Sequence, residues 1–141
     1  MKNFDEWNIV KKQSETFYEH KTKYFNNREV WLAKIGLNLG REEDGKGDKF
    51  VRPVLILRKY NADSFLAMSL STINKDNKYY FTFDFKNEFI SALVSQIKFL
   101  DRKRLVVKMG KINSMVDERG KLLVKVTKCS DPTGLKSCSH D

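Results

Sequence analysis

The sequence predicts a mainly β (α+β) fold, in which a small, closed antiparallel sheet follows one N-terminal helix. Short runs rich in β-branched and aromatic residues recur between residues 29 and 112, separated by loops rich in turn-forming residues. No helical pattern between these runs is long enough for the crossover that parallel strands require. The chain has 141 residues, 40% hydrophobic and 12% aromatic, which suits one domain with its own core and excludes a disordered chain.

The N-terminal segment, residues 1–27, predicts an amphipathic helix followed by a linker. Apolar side chains recur at helical intervals over residues 4–19, namely Phe4, Trp7, Val10 and Phe17. Asn3 precedes them and is a suitable N-cap, because its side-chain oxygen can accept a hydrogen bond from an unpaired amide of the first turn. The polar residues 20–27 then form the linker.

Five apolar runs predict strands, at 29–35, 51–60, 64–71, 79–85 and 90–99. A sixth run, 103–112, fits either a last strand or a short helix. The second run contains Pro53, which has no amide proton and therefore has to lie near the start of its strand or on an edge. A long polar loop with three glycines joins the first two strands.

The C-terminal part predicts a second helix and a loose tail. Residues 113–126 have an amphipathic pattern and complete a main domain at 28–126. The tail, 127–141, contains both cysteines, Cys129 and Cys138. Their spacing fits no usual zinc site, and they do not flank the fold, so we expect neither a metal site nor a stabilising disulfide.

The chain is basic, with 27 Lys and Arg residues, 18 Asp and Glu residues and a net charge of +9. The excess is concentrated at 96–128, which contains ten basic and three acidic residues. Such a surface attracts a nucleic acid or an acidic protein, and a merely solvated basic face is the alternative. No apolar run is long enough to span a membrane, and no signal peptide is evident, so we expect a cytoplasmic protein without a membrane partner.

Most standard catalytic motifs are absent from the sequence. It contains no Walker loop, no G-x-S-x-G elbow and no H-E-x-x-H helix. Only two histidines occur, His20 and His140, which makes a paired-histidine nuclease or a Ser-His-acid triad improbable. An enzyme built from this chain would therefore use Arg, Glu, Ser and Thr.

The best candidate site is the junction of the polar loop with the second strand, residues 40–53. The loop carries charged and aromatic side chains, namely Glu42, Glu43, Lys46, Lys49 and Phe50. Arg52 follows, and its planar guanidinium suits a phosphodiester. The alternative is a surface arginine paired with a loop carboxylate. A hydroxyl cluster, Ser69, Ser71 and Thr72, ends the next strand, where such residues often bond to local backbone instead.

Four blocks of the sequence resemble the MazF/PemK-type toxin endoribonucleases of bacterial type II toxin–antitoxin systems. They occur in the family's order and span roughly residues 28–112: REVWLAKIG at 28–36, GREEDGKGDKFVRPVLIL at 40–57, FLAMSLST at 65–72 and LVSQIKFLDRKRL at 93–105. The N-terminal helix and the longer loop are similar to the PemK-like branch. The resemblance implies an SH3-like barrel that works as a homodimer.

The resemblance also implies an activity and its residues. The activity is metal-independent and cofactor-independent cleavage of single-stranded RNA, leaving a 2′,3′-cyclic phosphate and a 5′-hydroxyl. Arg52 matches the catalytic arginine, Ser71 matches a catalytic threonine, and Glu42 matches the acidic residue that is available as general base. Ser95 stands where some members have a carboxylate. The expected RNA contacts are Lys46, Lys49, Phe50, Thr72 and Gln96.

Two further expectations follow from the resemblance. The toxin would be inhibited by an acidic, partly disordered antitoxin laid over residues 40–50 and 69–72, where it would mimic the charge of RNA. The alternative function is a non-catalytic protein on the same barrel, which binds nucleic acid or inhibits another enzyme as the similarly folded gyrase poisons do. The serines at 71 and 95 favour this alternative, whereas Arg52 and Glu42 favour the enzyme.

Overall fold

A computed structural model describes residues 1–16, 23–72 and 80–113 of the chain. In chain order these residues form α1 (Phe4–Thr16), β1 (Glu29–Lys34), β2 (Val51–Lys59), β3 (Ser64–Ser71), β4 (Tyr80–Phe85), β5 (Glu88–Asp101), a 3-10 helix (Arg102–Arg104) and β6 (Leu105–Lys111). The five predicted strands are confirmed to within two residues at each described end. The ambiguous run at 103–112 contributes both to the 3-10 helix and to β6. Apart from Asn113, the predicted C-terminal helix and tail lie outside the described residues.

The six strands form one antiparallel sheet in the order β4-β5-β3-β2-β1-β6. The prediction of a mainly β, antiparallel fold is therefore confirmed. The sheet is not closed, since no backbone pairing among the described residues joins the edge strands β4 and β6. Closure of the sheet into a barrel is not shown for this part of the chain. The ring of Phe85, at the end of β4, lies against Gly110 of β6, so the two edges approach each other through a side chain.

Hydrophobic residues are buried on both faces of the sheet. One cluster brings the phenylalanines of edge strand β4 together with residues of β1, β2 and β3, including Val30, Leu55 and Met68. Because β4 does not pair with any of those strands, the sheet has to curl for these side chains to meet. The other cluster packs Phe25, which precedes β1, against the opposite face. Burial on both sides explains why β2 contains the continuous apolar run VLIL rather than an alternating pattern.

The strand β5 is longer than predicted because a two-residue hairpin turn precedes it. Lys86 and Asn87 both have positive φ, of 52° and 66°, and Phe85 pairs directly with Glu88. Positive φ at both central residues is typical of the turns that match the twist of paired strands. The sequence Lys-Asn is a weak signal for this turn, since glycine is the usual second residue.

An irregularity in β5 lies opposite the middle of β3. Between the pairs Met68↔Ile97 and Leu70↔Ala92, β3 advances two residues while β5 advances five. The extra residues of β5 include Ser95 and Gln96. A bulge of this kind redirects side chains away from the regular pleat. It places Gln96 within reach of the polar loop described below.

The apolar contact of helix α1 with the rest of the fold is made mainly by one aromatic side chain. Asn3 caps it as predicted, since its Oδ1 accepts a hydrogen bond from the Glu6 amide at 3.1 Å. Of the helical residues only Trp7 is buried, and its indole packs edge-on against Phe50 and over Gly36. A Cβ at Gly36, whose φ is +79°, would overlap the indole, so glycine is required there for packing and for conformation. The predicted continuation of the helix to residue 19 lies outside the described residues.

The position of Pro53 in β2 agrees with its missing amide proton. Pro53 is the third residue of β2 and pairs with Leu32 of β1. On the other side, the pairing of β2 with β3 begins only at Val54. Pro53 therefore lies where β2 has a single neighbouring strand, as the sequence predicts.

Candidate active site

The polar loop between β1 and β2 is held in one conformation by its own side chains. The Asn38 amide donates to Asp44 Oδ1 at 2.6 Å, and Asn38 Nδ2 donates to the Glu43 carbonyl at 2.6 Å. The Leu39 amide donates to Glu42 Oε1 at 2.8 Å. Short polar side chains that bond to nearby backbone in this way stabilise turns. The glycine-rich loop is therefore a defined structure over residues 38–45, which we call the 38–45 loop.

The N-terminus of the chain fastens the 38–45 loop from outside. Lys2 Nζ donates to the carbonyls of Asn38 and Gly40, at 2.6 and 3.1 Å, and forms an ion pair with Asp44 Oδ2 at 2.9 Å. Burial by itself raises the pKa of Asp44. The hydrogen bonds from Lys2 and from the Asn38 amide, together with the charges of Lys2 and Arg52, outweigh this effect and hold the pKa below its ordinary value.

Arg52 is anchored by three contacts at the start of β2. Its Nε donates to the Asp44 carbonyl at 2.8 Å, and Nη1 donates to the Leu70 carbonyl at 3.2 Å. Nη2 forms an ion pair with Glu43 Oε2 at 2.8 Å, and the two side chains are only 13% and 19% exposed. Glu43 is itself positioned by β5, because its amide donates to Gln96 Oε1 at 2.7 Å. The 38–45 loop and β3 thus orient the guanidinium directly, and β5 does so through Gln96 and Glu43.

Arg52 lines a cavity of about 450 Å³. The cavity lies on the face of the sheet whose hydrophobic cluster contains the phenylalanines of β4. The base and walls are apolar and include Val30, Leu70, Phe85 and Met109. The polar groups at the cavity are three cations, two hydroxyls and one carboxylate, namely Lys46, Arg52, Lys86, Ser71, Thr72 and Glu88. Few polar groups converging on an apolar cavity are typical of a small-molecule or substrate site. We call this the Arg52 cavity.

Four of the predicted site residues meet in the Arg52 cavity. Arg52 contributes from β2, Ser71 and Thr72 from the end of β3, and Lys46 from the bridge that it forms with Val51. Arg52 and Ser71 are nineteen positions apart in the sequence, and the antiparallel pairing of β2 with β3 brings them together. The cations predominate over the single carboxylate, which suits a phosphodiester better than a divalent metal ion.

The other predicted site residues are placed elsewhere. Phe50 is 8% exposed and packs on Trp7, so its ring does not offer the free face that base stacking needs. Glu42 is exposed, bonds to the Leu39 amide and does not line the cavity. Gln96 holds the Glu43 amide instead of lining the cavity. Lys49 is exposed just before β2 and does not line the cavity either.

Two carboxylates at the site were not predicted to have a role. Glu43 was named as part of the polar loop, but nothing in the sequence separates it from Glu42 as the partner of Arg52. Glu88 lies 36 positions after Arg52, and only the hairpin turn between β4 and β5 brings it to the cavity. The turn at Lys86 and Asn87 fixes Glu88 as the first residue of β5, but this dipeptide is only a weak hairpin signal in the sequence.

The described residues lack two other kinds of feature. No group of three or more His, Cys, Asp or Glu side chains lies close enough there to hold a metal ion. In the same parts of the chain, no helix has the length and apolar character needed to cross a membrane.

Comparisons with known proteins do not identify a family. No protein-family model matches the chain, and no curated protein matches it. The geometry of the Arg52 cavity and the sequence blocks that surround it are therefore the basis for a functional conclusion.

Proposed function

We propose that this protein is a metal-independent endoribonuclease that cleaves single-stranded RNA, and that it is the toxin of a type II toxin–antitoxin system. The observation that carries the proposal is the shared cavity of Arg52, Ser71 and Lys46, three residues that the sequence blocks already single out. The products are an RNA with a 2′,3′-cyclic phosphate and an RNA with a 5′-hydroxyl. The SH3-like barrel, the homodimer and the C-terminal helix belong to the same proposal.

Arg52 stabilises the charge that develops on the phosphoryl oxygens. A guanidinium has five N–H groups, and three of those of Arg52 are engaged by Asp44, Leu70 and Glu43. The remaining two are available to a phosphate in the cavity. Because the other three fix the orientation of the group beforehand, little reorganisation is needed during the reaction.

Ser71 and Lys46 complete the contacts with the phosphate. The Ser71 hydroxyl, at the end of β3, donates a hydrogen bond to a non-bridging oxygen. Lys46 adds a positive charge and is the ammonium placed to protonate the leaving 5′-oxygen. Thr72 is exposed at the mouth of the cavity and contacts the flanking nucleotide.

Glu88 is the general base in this proposal, in place of Glu42. The base takes the proton of the ribose 2′-hydroxyl as the bond from the 2′-oxygen to phosphorus forms and the bond to the 5′-oxygen breaks. Glu88 is the carboxylate that lines the Arg52 cavity, whereas Glu42 is bonded to the Leu39 amide. Glu43 is committed to the ion pair with Arg52. In this proposal the carboxylate missing at Ser95 is replaced by Glu88, seven positions earlier in the same strand, β5.

An acidic, partly disordered antitoxin is the proposed inhibitor. Its carboxylates would occupy the Arg52 cavity in place of phosphate, and its chain would order on binding. Association would slow as salt rises, because the attraction between opposite charges is screened. A non-cleavable RNA analogue and the antitoxin should displace each other, and simultaneous binding at full affinity would contradict inhibition by occlusion.

The experiment that tests the proposed function is cleavage of a mixed-sequence RNA in the presence of EDTA. We expect short, sequence-specific cuts whose ends carry a 2′,3′-cyclic phosphate and a 5′-hydroxyl, and the Arg52→Ala variant is the control for contaminating nucleases. Equal cutting by that variant would overturn the proposal. Binding of the RNA without any cut would support the alternative, a non-catalytic protein that binds nucleic acid.

A further inference from the structure

A second cleft, of about 570 Å³, lies between α1 and the 3-10 helix. We call it the α1 cleft. Its lining residues are polar or charged except for Trp7. Five of them are cations, namely Lys11, Lys12, Lys34, Lys103 and Arg104. Two are carboxylates, Glu15 and Asp101, so the cleft has an excess of positive charge.

Both carboxylates of the α1 cleft already have partners. Glu15 forms an ion pair with Lys103, at 3.6 Å between Oε2 and Nζ. Asp101 caps the 3-10 helix, with its Oδ1 accepting a hydrogen bond from the Lys103 amide at 2.8 Å. Lys11 and Lys12 are exposed and make no ion pair with any described residue. The acids therefore leave two adjacent charges of the helix unneutralised.

Arg104 adds a fixed cation at the base of the α1 cleft. Its Nη1 donates to the Lys34 carbonyl at 2.8 Å, which orients the guanidinium. Burial lowers the pKa of Arg104, and the charge of Asp101 opposes this effect only in part. An anion in the cleft would supply the compensating charge that the fold does not.

We propose that the α1 cleft binds phosphate groups of a single-stranded RNA. The excess of cations over carboxylates in the cleft provides the charge complementarity for a chain of phosphate groups. The same charge would attract an acidic peptide, and the polyglutamate probe described below separates the two ligands. The proposal concerns binding only and does not depend on cleavage in the Arg52 cavity.

The test compares two double variants with the same change in charge. Lys11→Gln/Lys12→Gln removes two of the five cations of the α1 cleft, and Lys98→Gln/Lys111→Gln removes two lysines from β5 and β6. The probe is a fluorescent single-stranded RNA of about 12 nucleotides with 2′-O-methyl groups, which cannot be cleaved through its 2′-oxygens. Fluorescence anisotropy gives Kd over a series of salt concentrations, and circular dichroism confirms that both variants are folded.

We expect the α1-cleft variant to bind the RNA about tenfold more weakly at low salt than the control variant. The slope of log affinity against log salt should fall by about 1.4, since each phosphate contact on a single strand contributes about 0.7. Equal Kd values for the two variants would overturn the proposal. It would also be overturned if only the binding of a polyglutamate peptide, and not of the RNA, were weakened. A weakened RNA complex in a protein that cuts no RNA would support this inference while contradicting the proposed function.

Discussion

The Arg52 cavity and the α1 cleft both collect cations, but they hold them in different ways. In the Arg52 cavity the guanidinium has three fixed partners and is 13% exposed. In the α1 cleft Lys11 and Lys12 are exposed, and no described acid pairs with them. Fixed donors with little freedom stabilise a transition state, whereas exposed, unpaired charges attract a polyanion without defining its position. This difference is the reason for proposing chemistry at the Arg52 cavity and binding at the α1 cleft.

The two regions are joined by α1. Lys2, just before the helix, contacts the 38–45 loop, and Thr16 at its end lines the α1 cleft. The α1 cleft begins at Trp7 and extends to Thr16, so the helix contributes to both regions along its length. The comparison can therefore be tested by changing each region separately and measuring cleavage and binding in parallel.

The largest effect is expected from Arg52→Ala. Removing one preorganised donor of an oxyanion site lowers a catalytic rate by about 10²–10³. We expect a loss of this size in single-turnover RNA cleavage, measured in EDTA, with the affinity for uncleavable RNA changed by less than about threefold. Arg41→Ala is the matched control, since it removes an exposed guanidinium from the 38–45 loop. If binding and cleavage fell together, the division between the two regions would be wrong.

Glu88→Gln should lower the cleavage rate by about 10², the lower end of the range for a general base. The loss should appear in the single-turnover rate at saturating RNA, because the amide cannot accept the proton of the ribose 2′-hydroxyl. Glu42→Gln, measured in parallel, decides between the two carboxylates. A loss of rate in Glu42→Gln alone would restore Glu42 as the base.

Ser71→Ala should lower cleavage by about ten- to hundredfold, because one hydrogen bond to the phosphate is lost. Ser71→Thr should retain the activity, since it keeps the hydroxyl. Rates at saturating RNA separate this effect from weaker binding. An inactive Thr variant together with an active Ala variant would show that the cavity needs space at this position rather than a donor.

The smallest effect is expected from Asp44→Asn, which removes the ion pair with Lys2. The pair is partly exposed, so the loss in the free energy of unfolding at pH 7 should be less than about 1 kcal/mol. Because the pKa of Asp44 is lowered in the folded protein, its contribution is present above the ordinary value of 3.8 and is lost as the pH falls through the folded pKa. Urea unfolding should therefore separate the variant from the wild-type protein at pH 7 but not at low pH. A difference in the free energy of unfolding that grew towards low pH would contradict a lowered pKa of Asp44. Asp48→Asn, at an exposed position of the same polar region, is the control.

The strands could be predicted from the sequence because each is defined by its own residues. β3 was predicted with both ends correct, since an apolar run between turn residues is a local signal. The extent of β5 was not predictable in the same way. Its first residues pair only because Lys86 and Asn87 adopt positive φ, and residues of this type seldom do so.

The candidate site could be predicted in part. Arg52, Ser71, Thr72 and Lys46 were selected from the sequence, and the structure places them at one cavity. Phe50 was selected for its exposed position in a polar loop, but α1 folds back over the loop and buries the ring under Trp7. A contact between residues 43 positions apart has no local signal, so the sequence could not show that this ring belongs to the core.

The sequence by itself determined the secondary structure, the basic character and the residue types from which a site can be built, because these depend on composition and on short-range periodicity. The tertiary structure decided which of those residues share a cavity. It placed Glu88 rather than Glu42 at the Arg52 cavity, paired Glu43 with Arg52, and left the described sheet open, with Phe85 against Gly110. The physical reason is that a site of this kind is assembled by strand register and by a hairpin turn. The register is set by pairing between distant segments, and the turn by positive φ at Lys86 and Asn87, which carry only a weak turn signal.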